Sequence, residues 1–148
     1  MAKTFDPNQV TVTITGLNLS HIVTGFSKDT FVSITWDEDL FNDDNDANGN
    51  LIRFKNNNYN AKLTLTLSQG SPSNEILSNF MNLDRAVNVG GAFAIMVKDN
   101  NGGTLITSTY AYILTPPTVE FGTSASNRSW VIRMGEAVGT IGGINGQN

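Results

Sequence analysis

One segment of this chain carries a helical period, and almost everything around it alternates. Between Ser71 and Val89, the apolar residues Ile76, Phe80, Leu83 and Val87 fall at i, i+4, i+7 and i+11, with Leu77 beside them. Ser78, Asn79, Asn82 and Arg85 point elsewhere, which gives a one-faced helix. Both ends are marked chemically. Ser71 is placed to accept from an orphan N–H, Pro72 suits the first helical position, and Glu75 sits near the positive end of the helix dipole. Gly90-Gly91 offers a residue able to take positive φ after the last turn. A lone helix of this length is marginal in water, so its stripe needs a platform.

The flanking sequence supplies one. Gln9 to Gly16 sets Val10, Val12 and Ile14 against Thr11, Thr13 and Thr15, and Asn60 to Ser68 sets Leu63, Leu65 and Leu67 against Thr64 and Thr66. Leu19 to Thr24 continues the pairing after a turn at Gly16 to Asn18, and Thr30 to Trp36 places Val32, Ile34 and Trp36 on one face. Ala92 to Lys98 is apolar on both faces and is predicted to be the most central strand. Asp99 to Gly103 reads as a reversal into a long strand, Thr104 to Leu114, which Pro116-Pro117 ends. Thr118 to Gly122 reads as a short edge strand, and Arg128 to Met134 is the last, with Trp130, Ile132 and Met134 on one side. The expected fold is mainly β: a two-sheet β-sandwich or flattened β-barrel with one packed α-helix, a single domain over residues 1–148. Residues 135–148 form a Gly-rich C-terminal tail with too little apolar surface to hold itself down, flexible or intersubunit in role.

The segment Asp37 to Asn50, DEDLFNDDNDANGN, is too long for a tight hairpin turn and reads as an acidic insertion before a strand at Leu51 to Lys55. Within it, Asp44, Asp46, Asn48 and Gly49 match the early ligand spacing of a calcium loop. The twelfth position is Lys55 rather than a bidentate Glu, so the segment reads more simply as a solvated acidic loop, and a calcium-dependent β-sandwich binding module is the alternative of a different class.

Little else points to chemistry. Cys is absent, which excludes thiolate metal sites and cysteine nucleophiles. The sole histidine, His21, has no Ser or Asp motif near it in sequence, and the acids lie in a loop and scattered turns, a poor scaffold for fixed catalytic geometry. The glycine pairs form neither a P-loop nor a dinucleotide fingerprint. No cofactor, metal or catalytic residue is expected. A formal charge of −4 with dispersed Lys and Arg argues against a basic nucleic-acid-binding face, and no apolar run is long enough to span a membrane. Arg128 and Arg133 flank Trp130, a pattern better explained by core packing than by base stacking. The threonines of Thr11–Thr15 and Thr64–Thr66 predict a wide hydroxyl-lined sheet face, either ordinary solvent-facing strand composition or the wall of a channel.

A set of short motifs in a shared order adds to this reading. It runs from Asp6-Pro7-Asn8-Gln9-Val10 through Gly25-Phe26, Thr30 to Ile34, the Asp37 and Asp39 pair, Asn48-Gly49, Arg53, Asn57-Asn58 and Leu63 to Leu67. It continues with Ser71-Pro72-Ser73-Asn74 and Leu77, Lys98-Asp99 with Gly103, Ala111-Tyr112-Ile113, Pro116-Pro117, Phe121 and Arg128-Ser129-Trp130. In this the chain resembles the inner tail tube proteins of contractile-tailed bacteriophages, up to about Met134. Its acidic loop is longer and more Asn-rich than the family's turn, and Tyr112 stands where Trp is usual. The resemblance implies a non-enzymatic virion protein whose copies form sixfold rings stacked into a conduit for DNA ejection inside a contractile sheath. It implies assembly in the bacterial cytoplasm and, as partners, further copies of the chain, the sheath, baseplate and tail terminator proteins, with tape measure protein and DNA in the lumen without specific binding. Phage-derived and type VI-like injection particles share the fold and are the alternative machine. On this reading Asp37, Asp39, Asp43, Asp44 and Asp46 belong to an intersubunit loop, and Asn79, Asn82 and Arg85 form an outer helix face toward the sheath.

Overall fold

The computed structural model describes residues 4–16, 19–28, 30–87 and 90–143. Strands β1 (Val10–Gly16), β2 (Leu19–Ile22) and β3 (Val32–Trp36) come first, followed by a hairpin of β4 (Phe41–Asn45) and β5 (Leu51–Lys55), then β6 (Ala61–Leu67) and the helix α1 (Ser73–Ala86). After the helix come β7 (Phe93–Asp99), β8 (Leu105–Thr115), β9 (Arg128–Gly135) and β10 (Val138–Thr140). Two sheets result. The large one runs β2-β1-β7-β8-β9-β6-β3, with β10 added beside β8, and the small one is β4-β5 alone. Every pairing is antiparallel.

Alternation dictates which face is inside. Leu63, Leu65 and Leu67 of β6 are fully buried, and across the ladder Leu63 meets Ile132 and Leu65 meets Trp130, so the apolar partners share the inner face. Val12 and Ile14 of β1 join Ile95 and Val97 of β7 in the same core. Each such side chain, fully buried, contributes about 1.5–3 kcal/mol. The segment between β2 and β3 draws the two ends of the sheet together. Val23 N–H donates to Val12 O at 2.9 Å on one side, while Ser27 N–H donates to Thr66 O at 3.1 Å on the other. The outcome is the expected β-sandwich with one helix packed on it.

α1 lies across β8, with Leu77 and Phe80 in the core and the Phe80 ring 4.9 Å from that of Phe93. The buried stripe is Ser73, Leu77 and Phe80 rather than the full expected series. Val87 is exposed because the helix ends at Ala86 and Val87 is already extended. The helix starts one residue later than expected, with Pro72 rather than Ser71 at the N-cap position and Ser73 as the first helical residue, while the Ser71 hydroxyl accepts from Ser73 N–H at 3.2 Å and donates to Thr24 O at 2.5 Å. Gly91 serves the stop through close approach, not positive φ, since a Cβ there would lie 2.1 Å from the Phe80 carbonyl oxygen.

Several expectations are corrected. β8, not β7, is the central strand, because β9 and β6 extend the sheet beyond it; Ala94 and Met96 on the second face of β7 are only half-buried. Residues 118–122 form no strand. The threonines of β1 and β6 both lie on the side of the sheet away from the core but not in one continuous hydroxyl patch, since β7, β8 and β9 come between them and place Met96 and Arg133 on that side. The start of the Gly-rich tail is tied down, with β10 paired to Leu105–Thr107 and the Thr104 hydroxyl donating to Gly142 O at 3.1 Å. The acidic insertion is itself half of a hairpin, since Phe41–Asn45 pairs with Leu51–Lys55. Leu17 and Asn18 of the expected turn, Asn88 and Val89 at the end of the expected helical stretch, and the tail from residue 144 lie outside the described residues.

Candidate assembly surface

The hairpin leaves the body between Trp36 and Ala61. Asp37 N–H donates to Asn60 O at 3.0 Å and Asn56 N–H to Leu40 O at 2.9 Å, which clamps its two stems. Asp37 also forms an ion pair with Arg133 of β9, so this acid is engaged within its own chain. At the tip, the Asp46 carboxylate accepts from Asn48 N–H and Asn50 N–H, both at 2.9 Å, while Gly49 takes φ 83°. Those bonds, that of Asn50 foremost, hold the Asp46 carboxyl below its ordinary value. Asp46 and Gly49 of the Asp44-x-Asp46-x-Asn48-Gly49 pattern thus have a role in the turn itself. Among the described residues no cluster of three His, Cys, Asp or Glu side chains is arranged to hold a metal ion.

No residue of β4 or β5 is buried. The register sorts the side chains into two faces. Phe41, Asp43, Leu51, Arg53 and Lys55 share one, where the Arg53 guanidinium lies 4.6 Å from the centre of the Phe41 ring. Asp44 stands opposite Ile52 and Asn42 opposite Phe54 on the other, where Ile52 is 42% and Phe54 57% exposed. A two-stranded hairpin carrying such side chains in water is marginal by itself. The aromatic and aliphatic content was visible in the sequence, but their joint exposure follows only from the hairpin's position off the body.

Two cavities flank β3. One of about 580 Å³ has apolar walls from Phe5, Val10, Phe31, Val32, Ile34 and Val97, with Lys28, Thr104 and Asp99 also lining it. The other, about 550 Å³, opens at the hairpin base between Trp36, Leu40, Tyr59 and Val138 and includes Glu38 and Asp39. Asp39 thus lines a cavity, whereas Asp43, Asp44 and Asp46 ride on the hairpin. On α1, Asn79, Asn82 and Arg85 are exposed on the side away from Leu77 and Phe80.

Sequence reasoning missed two polar links at the helix start. Asn74 donates through Nδ2 to Ser68 O and Ser71 O, both at 3.1 Å, and its Oδ1 accepts from Trp130 Nε1 at 2.9 Å. His21 Nε2 lies 2.8 Å from the buried Ser73 hydroxyl, which also accepts from Thr24 N–H at 3.0 Å. The serine is sealed in the core and lines none of the cavities described above, so the pair ties β2 to the helix and offers no nucleophile.

In sequence the chain is 38% identical over 135 residues to "Structural protein ORF10" of Pseudomonas phage KPP10, covering 89% of this chain and 78% of that protein. The chain belongs to a family of bacteriophage structural proteins. No protein-family model matches it. Three solved structures share the fold of this phage structural protein. They are the tube-terminating cap of the anti-feeding prophage (TM-score 0.57, 12% identity, 95% of this chain and 93% of that one) and two components of the PVC extracellular contractile injection system. The first of these is from its sheath–tube complex (0.57, 13%, 93% and 91%) and the second from its sheath/tube terminator (0.56, 11%, 95% and 99%). The family is one of structural components, and this phage structural protein is a non-enzyme.

Proposed function

We propose that this protein is the subunit of the inner tail tube of a contractile-tailed phage. Its copies close into rings, six to a ring, and the rings stack into a conduit for DNA ejection in the virion tail. The observation that carries this is the β4–β5 hairpin. All residues of its two strands are exposed, apolar side chains among them, and among the described residues the two strands pair only with each other, a state that favours a partner. In the assembly, Asp43, Asp44 and Asp46 sit at contacts between subunits, and Asn79, Asn82 and Arg85 of the outer helix face meet the sheath. Ser33, Thr35, Thr64, Thr66 and Ser129 on β3, β6 and β9 form a hydroxyl-rich patch on the side away from the core, bordered by Lys62 and by Arg133, whose charge is met by Asp37, and this patch lines the conduit. The net negative charge fits non-specific passage of DNA better than binding. Assembly takes place in the host cytoplasm, with baseplate, terminator and tape measure proteins as further partners.

Electron microscopy of the purified full chain, alone and with a tail-tip nucleator, tests the reading. Rings and tubes are expected. A chain that remains monomeric under all these conditions refutes it, and rings that never stack point instead to a component that ends a tube.

A further inference from the structure

We propose that the hairpin of one copy seats Ile52 and Phe54 in the apolar cavity beside β1, β3 and β7 of a second copy, with Asp44 paired to Lys28 of that copy. The inference rests on the tail-tube reading and specifies which two patches of the chain meet. Ile52 and Phe54 lie on one face of the hairpin, alongside Asp44 and Asn42, and their own chain leaves 42% and 57% of them exposed. At about 580 Å³ the cavity falls within the size at which proteins bind apolar groups, and no hairpin residue of its own chain lines it.

Charge decides between the two cavities. The hairpin's acids, Asp43, Asp44 and Asp46, would meet Glu38 and Asp39 in the cavity at the hairpin base, an arrangement of like charges that disfavours docking. In the larger cavity they meet Lys28, which forms no ion pair among the described residues. That cavity also holds Asp99, whose carboxylate accepts from Asn101 N–H at 3.1 Å, so its charge is balanced by Lys28, whereas Glu38 and Asp39 of the other cavity have no cation in its lining. Donor and acceptor are different patches of one chain, so the contact is heterologous and each docked copy presents a free hairpin to the next. That is the form of contact a stacked assembly needs.

The absence of cysteine makes the test direct. With Thr30→Cys and Ile52→Cys in one chain, mild oxidation of assembled protein is expected to give a ladder of disulfide-linked multimers, and neither single variant gives more than a dimer. Lys28→Glu and Asp44→Lys are each expected to raise the critical concentration for assembly about tenfold, with the double variant restoring most of the loss. Phe54→Asp, at an exposed site that leaves the monomer's circular dichroism unchanged, is expected to raise it at least about tenfold. Tubes that form normally without a ladder, or charge reversals without rescue, overturn the docking while the tail-tube reading stands. A disulfide within one chain means the hairpin folds onto its own cavity and also overturns it. A wild-type chain that never assembles removes the reading beneath it.

Discussion

Asn74 is the point at which helix, core strand and loop are joined, and its removal gives a calculable loss. Its side chain makes three hydrogen bonds: one accepted from Trp130 Nε1 at 2.9 Å and two donated to the carbonyls of Ser68 and Ser71 at 3.1 Å. Neutral bonds contribute about 1 kcal/mol each, net of water, and an orphaned buried donor costs about 1–3 kcal/mol. Trp130 is only 3% exposed, so in Asn74→Ala its indole N–H is left without a partner. The two carbonyls each keep a backbone bond, Ser68 O from Ser71 N–H at 3.0 Å and Ser71 O from Asn74 N–H at 3.3 Å, so their loss is smaller. The expected destabilisation is about 2–4 kcal/mol by urea unfolding, or a Tm lower by roughly 6–15 °C. Asn74→Asp separates the components. It keeps an acceptor for Trp130 but turns a carboxylate oxygen toward two carbonyls, against a gain of about 0.3–1 kcal/mol from negative charge in the first helical turn. It should therefore be destabilised as well, by less than Asn74→Ala. Combining Asn74→Ala with Trp130→Phe should show a coupling of about 1 kcal/mol or more, because the two share one bond. A loss under about 0.5 kcal/mol in Asn74→Ala, or a cycle with no coupling, refutes the assignment of Asn74 as the junction.

Gly91→Ala should fail to give soluble folded protein or lose more than about 3 kcal/mol, since its Cβ would strike the Phe80 carbonyl; circular dichroism and soluble yield read this directly. Deleting residues 43–48 should leave the monomer's unfolding free energy within about 0.5 kcal/mol of the parent, because no removed side chain is buried, while electron microscopy shows loss of stacked tubes. Arg133→Ala should cost less than about 1 kcal/mol and lose its effect in high salt, because both members of the Asp37 pair remain open to water, at 26% and 20% exposure. Asp46 has a lowered folded-state pKa, so the support its carboxylate gives the turn is present above the unfolded value and is lost as pH falls through the folded one. The amide resonances of Asn48 and Asn50 should therefore hold position down to about pH 4 and move only below it, and they should not titrate in Asp46→Ala.

The alternation of Leu63, Leu65 and Leu67, and of Trp130, Ile132 and Met134, determined which side of β6 and β9 is buried, because a pleated strand cannot turn one of these residues without turning all of them. Ser71 and the Leu77–Phe80 spacing likewise settled the helix and its buried side. Tertiary structure alone decided the order of the strands, since β7 carries the more continuous apolar run and yet the long-range pairings put β8 in the middle. It also decided the fate of the acidic segment. Asp43 and Asp44 have low strand propensity, yet a turn held by Asp46 and Gly49 brings them against Ile52 and Arg53, and pairing across that turn overrides local preference. The candidate surface was half legible for the same reason. The charges of the Asp37 to Asn50 stretch could be read directly, but the exposure of Ile52 and Phe54 depends on what the fold leaves uncovered, and burial is a property of the assembled chain rather than of any residue in it.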